Sequence, residues 1–185
     1  MKDLKWGEII KRNNELGLKM SGPVKKIALL SNTTNFQLKE ILELELRELG
    51  IAVEIDTGDY DLILQDSIHF KNHDAVIVFW ELSNLIDGFH YKYNSLDDDM
   101  LDSLANKVEL EIESTLENLK DTPLVLTNKF TSIHFDENVL EQSKLNSLSD
   151  RLNNYVQSIM LKNQLLVNIE KIIAVTGIGQ AIDYR

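Results

Sequence analysis

Four consecutive side chains, Ser31, Asn32, Thr33 and Thr34, place three hydroxyls and an amide directly after the apolar run Ile27–Leu30. A hydroxyl attacks an acyl centre only when a base within hydrogen-bond reach takes its proton and donors hold the developing oxyanion. Thr33 or Ser31 is the candidate nucleophile, and Asn84, beyond a later apolar run, is the candidate oxyanion donor. His90 and His134 fall in two long loop segments, where either would serve as a general base. In a fold of this order the base belongs after the last strand, yet Glu170–Arg185 holds no histidine and Asp183 stands there without a partner.

Other candidates carry less. His69 and His73 are four apart, a metal-binding spacing on one helix face. Asn72-His73-Asp74 reads as a turn, however, so the two histidines are separated by a helix end and no metal site is expected. Asp59 is cut off from the preceding apolar run by Thr57-Gly58, and Asp97–Asp99 opens a helix, where acids complement the macrodipole. The hydroxyls of Ser31 and Thr33 with the amide of Asn35 also suit a phosphate-cradling loop of the flavodoxin kind. Thr34 and Phe36 stand where close phosphate approach favours glycine, and no bound cofactor is expected.

The elements that must position these residues are legible as alternating patterns. Five short apolar runs, Lys25–Leu30, Ile51–Asp56, Asp74–Trp80, Pro123–Asn128 and Leu165–Ile169, suit strands of a parallel sheet buried on both faces. Helical stripes lie between them. Leu38 to Leu49 forms one, ended by Gly50; Leu96 to Leu116 forms a second, capped by Ser95 with Asp98; Leu145 to Met160 forms a third. A shorter helix is expected within Tyr60–Phe70, and a leading helix over Asp3–Leu16, with Gly17 to Pro23 as the turn into the sheet. Such alternation predicts an α/β fold: a three-layer α/β/α sandwich around a five-stranded parallel sheet of order 2-1-3-4-5. The loops Ser31–Asn35, Glu81–Asn94 and Thr127–Gln142 then share its carboxyl edge, where such folds gather ligands.

Composition narrows the function classes. A 185-residue chain with 43% apolar and 26% charged residues builds one globular domain. The net charge of −11 is uneven: residues 1–26 hold seven Lys and Arg against three Asp and Glu, leaving twelve against twenty-seven in the remainder. An acidic body repels phosphate backbones, so nucleic acid is not an expected partner. No apolar run reaches membrane-spanning length, no signal-peptide core is present, and the absence of cysteine fits a reducing compartment, so a cytoplasmic location is expected.

Five segments spread along the chain are KIALLSNTTNFQLKEILELELRELGIAVEI, GDYDLILQDS (Gly58–Ser67), DAVIVFWELSNLI (Asp74–Ile86), PLVLTNKF (Pro123–Phe130) and IGQAIDYR (Ile178–Arg185). In order and spacing they are similar to the N-terminal domain of the FkbH-like family, in which an SGNH-hydrolase-like domain precedes a HAD-superfamily (subfamily IIIC) domain. The resemblance implies one SGNH-like domain over 1–185, with 1–23 as leading helix and turn, 24–185 as α/β core, and the HAD domain outside this chain. SGNH enzymes carry Gly-Asp-Ser after the first strand; the corresponding residues here are Ser31, Asn32 and Thr33, so Thr33 occupies the nucleophile position in altered form. Asn84 corresponds to the oxyanion-hole asparagine, and the late Asp-x-x-His block is not satisfied around Asp183. The expected pocket is lined by Ser31, Asn32, Thr33, Thr34, Glu81, Asn84 and His134, with Asp183 approaching from the last segment.

Family membership would make the chain a binding or positioning domain, not catalytic alone, in a protein that loads a glyceryl-type unit onto an acyl carrier protein. Acyl carrier proteins are acidic, so docking would fall to Lys11, Arg12, Lys19, Lys25 and Lys26 or to another domain. The alternatives are a stand-alone SGNH-type esterase or acyltransferase using Thr33, and an interaction domain with a vestigial pocket.

Overall fold

Five strands form the frame: β1 (Lys25–Ser31), β2 (Val53–Thr57), β3 (Ala75–Phe79), β4 (Val125–Asn128) and β5 (Gln164–Val167). They pair in the order β2-β1-β3-β4-β5, every pair parallel, as expected from the alternating pattern. The computed structural model describes residues 4–85, 88–132 and 144–177. Its helices are α1 (Trp6–Lys19), α2 (Phe36–Glu48), α3 (Ile63–Phe70), α4 (Phe89–Lys92), α5 (Asp98–Asn118), α6 (Lys144–Ile159) and α7 (Ile169–Thr176).

The strand alternation sorts side chains onto two faces. Ala28, Leu30, Val76, Val78 and Val125 point to one, where Ile63 of α3, Leu104, Val108 and Ile112 of α5, and Leu148 and Leu152 of α6 close over them. Leu29, Val53 and Ile55 point to the other and meet Leu42 and Leu46 of α2. Helices on both faces make the α/β/α sandwich, and the interior strand β1 is buried from Ala28 to Ser31. Each fully buried leucine there contributes about 1.5–3 kcal/mol of transfer free energy.

The helix α1 forms a further layer outside α2. Its Asn13 is buried and hydrogen-bonded by Nδ2 to Glu40 (2.9 Å) and Glu43 (3.1 Å), while Oδ1 accepts from Arg47 at 2.6 Å. Glu43 and Arg47 then reach the outward side of the edge strand β2: Ile55 N–H donates to Glu43 Oε1 (3.0 Å) and Arg47 donates to the Val53 carbonyl (2.9 Å). Backbone groups that an edge strand would leave open are thereby closed by side chains.

Several boundaries differ from the sequence reading, three of them with a cause visible in the contacts. The leading helix runs three residues past Leu16, through Gly17, because Gly17 lies against the Arg47 guanidinium (a Cβ there would meet Nη1 at 3.3 Å) and packing on α2 extends it. The cap of α5 is Asp97, whose Oδ1 accepts from Met100 N–H at 2.8 Å, and not Ser95, which closes a separate turn on the Lys92 carbonyl. Ile169 does not end β5; it opens α7, which Asn168 caps through Lys171 N–H at 3.0 Å. No helix of the described residues is long and apolar enough to cross a membrane.

Candidate functional site

The chain leaves β1 for α2 on one face and leaves β3 for α5 on the other, so a crevice opens between the carboxyl ends of β1 and β3. Ser31 ends β1 and Asn32 follows it, each 2% exposed, and Trp80 and Glu81 follow β3. The successive residues Trp80 and Glu81 turn their backbone groups to opposite sides, and a side-chain amide meets each. Asn32 brackets Glu81: Glu81 N–H donates to Oδ1 (2.7 Å) and Nδ2 donates to the Glu81 carbonyl (3.1 Å). Asn128, at the end of β4, brackets Trp80 in the same way, both contacts at 2.8 Å. Asparagine amides thus prolong the ladder by one rung on either side of β3.

The other expected site residues are engaged nearby. Ser31 Oγ accepts from Thr33 N–H at 3.0 Å, an ST-type turn that fixes the exit from β1. Asn84 Nδ2 donates to the Asn32 carbonyl at 2.9 Å, and the Glu81 carboxylate accepts from Ser83 N–H at 3.4 Å and its hydroxyl at 3.3 Å. Thr33 is half-buried and Thr34 exposed. Among the described residues, no histidine or carboxylate hydrogen-bonds to the Thr33 hydroxyl. His134 and Asp183 lie outside the described residues, as does the side chain of His90. His73 is bonded elsewhere, to Asp56 at 2.8 Å, and the described residues contain no cluster of three or more metal-ligating side chains.

A cavity of ≈ 30 Å³ does open here, lined by Asn32, Asp61, Trp80, Asn84, Leu85, Lys107, Val108 and Glu111. Two expected residues, Asn32 and Asn84, line it; Ser31, Thr33, Thr34 and Glu81 do not. Its volume is that of a bound water rather than a substrate. Asp61 and Glu111 were not expected. Asp61 arrives because the loop after β2 folds back over β1, Asp61 N–H donating to the Ser31 carbonyl at 3.2 Å. The fold-back needs Gly58, where a Cβ would sit 2.5 Å from the Asp66 carboxylate and 2.9 Å from Leu30; Asp66 itself anchors Asp59 N–H at 2.7 Å. Asp61 takes a left-handed backbone, φ 59°, which aspartate tolerates better than most residues.

Glu111 projects from the middle of α5. Desolvation first, and then the neighbouring charge of Asp61, raise its pKa above the ordinary glutamate value, with Lys107 opposing. In the sequence it sits within an acidic helix whose charges read as a solvated face, and only the return of Asp61 over β1 distinguishes it from its neighbours.

No protein-family model and no curated protein matches the chain. Among solved structures, the chain is similar to the N-terminal part of the protein BF1531 from Bacteroides fragilis, which contains a phosphatase domain and was crystallised in complex with Mg. The TM-score is 0.72 at 18% identity, over 98% of this chain and 49% of that one. The likeness shows a shared fold, and the chain spans about half the length of the structure it matches.

Proposed function

We propose that this chain is a binding and positioning domain that is not catalytic alone, working as the N-terminal domain of an FkbH-like protein whose chemistry resides in a HAD-superfamily domain. One observation carries the reading: no histidine or carboxylate among the described residues meets the Thr33 hydroxyl, and the polar side chains around it, the expected oxyanion donor Asn84 included, are taken up by the backbone. Ser31 Oγ holds Thr33 N–H, Asn32 holds Glu81, and Asn84 holds the Asn32 carbonyl. An oxyanion hole needs donors aimed at a reacting atom, and here an Asn84 N–H points at a peptide oxygen instead. The similarity to the N-terminal part of a protein that contains a phosphatase domain supports the same division of labour.

On this reading the whole protein is cytoplasmic and loads a glyceryl-type unit onto an acyl carrier protein. Docking of that acidic partner would not fall on the full basic N-terminus. Arg12 is paired with Glu48 at 2.7 Å, Lys25 with Asp74 at 2.7 Å and Lys11 with Glu15 at 3.9 Å, while Lys19 and Lys26 make no ion pair among the described residues.

A panel of p-nitrophenyl esters assayed with the wild type and Thr33→Ala tests the reading. The expected result is no turnover above buffer for either protein. Robust hydrolysis by the wild type that disappears in Thr33→Ala would overturn it and establish an esterase.

A further inference from the structure

The carboxyl edge carries exposed apolar side chains beside the crevice. Phe36, the first residue of α2, is 58% exposed despite its edge-on contact with Trp6, and Tyr60 and Leu62 are 64% and 41% exposed. They flank the exit from β1, Phe36 following the Ser31–Asn35 turn and Tyr60 and Leu62 bracketing Asp61, whose N–H is bonded to Ser31.

Acids outnumber bases at this edge. Asp61 and Glu111 line the crevice, and neither forms an ion pair or side-chain hydrogen bond among the described residues. Some partly buried acids elsewhere are paired: Glu43 with Arg47, Glu109 with Arg151, Asp56 with His73. Lys107 also lines the crevice without closing on either acid, and Asp59 and Asp97 add further negative charge at loops of this edge. An exposed Asp61 and a half-buried Glu111, neither in an ion pair among the described residues, beside exposed aromatic and aliphatic groups are the complement of a cation carried next to an apolar side chain. An acidic partner would meet repulsion here.

We propose that this edge docks a basic protein segment, which places a lysine ammonium between Asp61 and Glu111 and an apolar side chain against Tyr60 and Leu62. The arriving cation offsets the repulsion between the two carboxylates and favours the ionised form of Glu111, whose proton affinity burial and Asp61 raise. This surface goes beyond the positioning-domain reading and is independent of it: failure of docking leaves the assignment of Thr33 untouched, and esterase activity leaves the docking surface untouched.

The probe is a fluorescein-labelled Lys-Phe-Lys-Leu-Lys peptide titrated with the whole chain by fluorescence anisotropy, beside a Glu-Phe-Glu-Leu-Glu counterpart. The Lys peptide is expected to bind and to weaken at high salt, and the Glu peptide is expected not to bind. Asp61→Asn with Glu111→Gln should weaken the Lys peptide about tenfold or more, and Tyr60→Ser should also weaken it. A control that removes the same charge elsewhere, Glu54→Gln with Asp150→Asn at exposed positions, should retain near-wild-type affinity. Thermal melts by circular dichroism confirm that each variant is folded. No binding of the Lys peptide, equal binding of the Glu peptide, or equal weakening by the control pair would each overturn the proposal.

Discussion

The Asn32 carboxamide holds Glu81 by both of its backbone groups, accepting from its N–H at 2.7 Å and donating to its carbonyl at 3.1 Å. A primary amide presents a donor and an acceptor with the spacing of a peptide group, so Asn32 continues β1 as a strand would. The first consequence is energetic. Asn32→Ala removes both bonds and leaves two poorly hydrated backbone groups unpaired, which costs about 2–3 kcal/mol. Asn32→Asp keeps the acceptor, loses the donor and places a charge at a 2% exposed position, so it should be at least as destabilising at neutral pH and partly relieved in acid. Urea denaturation measures both; variants within experimental error of the wild type would refute the bracketing role.

Asn128 grips the preceding residue, Trp80, from the β4 side, with both contacts at 2.8 Å. Two amides that clamp adjacent residues of one strand end share the same backbone and should be energetically coupled. The Asn32→Ala, Asn128→Ala double variant is expected to deviate from additivity by about 0.5 kcal/mol or more. Strict additivity in a denaturation cycle would show two independent contacts instead.

The sheet was legible because its strands are short apolar runs whose pattern does not depend on long-range partners. Lys25–Ser31 and Ala75–Phe79 are visible from composition, and the order follows from chain connectivity. The helix α7 was not: IEKIIAVT is apolar enough to continue the reading of a strand at Ile169, and only Asn168 as a cap separates the two. In the site, the position of Ser31–Thr34 was readable but the destination of each polar atom was not. Whether Asn84 faces a ligand or the Asn32 carbonyl is settled by how two loops meet across 52 positions of sequence. Asp61 and Glu111 are fifty residues apart and only the fold-back over β1 joins them at one cavity. Asn13 lies between Arg12 and Asn14 in the leading helix, where nothing in the sequence marks it as buried, yet it is 1% exposed because Glu43 and Arg47 satisfy it from α2.

Arg47 is the hinge of that buried group, since it binds Asn13, Glu43 and the Val53 carbonyl together. Arg47→Met leaves Glu43 buried without its cation and should destabilise the fold by about 3–5 kcal/mol. Pairing Arg47→Met with Glu43→Leu removes the stranded charge and should recover much of that loss. The double variant still opens the outward groups of Val53 and Ile55 on the edge strand β2. It is therefore expected to self-associate with rising concentration on size exclusion, and a strictly monomeric double variant would show that the cap does not protect the edge.

Two carboxylates should bias stability in opposite directions as pH changes. Burial and Asp61 raise the Glu111 pKa above its unfolded value of 4.5. The native state then holds that proton more tightly, so its contribution is greatest below 4.5 and is lost as pH rises through the folded value. Glu111→Gln cannot ionise and should gain stability relative to the wild type on going from acid to neutral pH. Asp74 behaves conversely: the hydrogen bond from Lys25, and then that from Lys26 N–H, hold its pKa below 3.8. Its contribution is present above 3.8 and is lost as pH falls through the folded value, and Lys25→Met should abolish most of that acid-side slope. Thermal melts of the wild type and both variants from acid to neutral pH distinguish the signs. A Glu111→Gln curve that loses ground against the wild type as pH rises would mean that the Glu111 carboxylate is favourably solvated or paired, and that the crevice is not the unpaired acidic site described above.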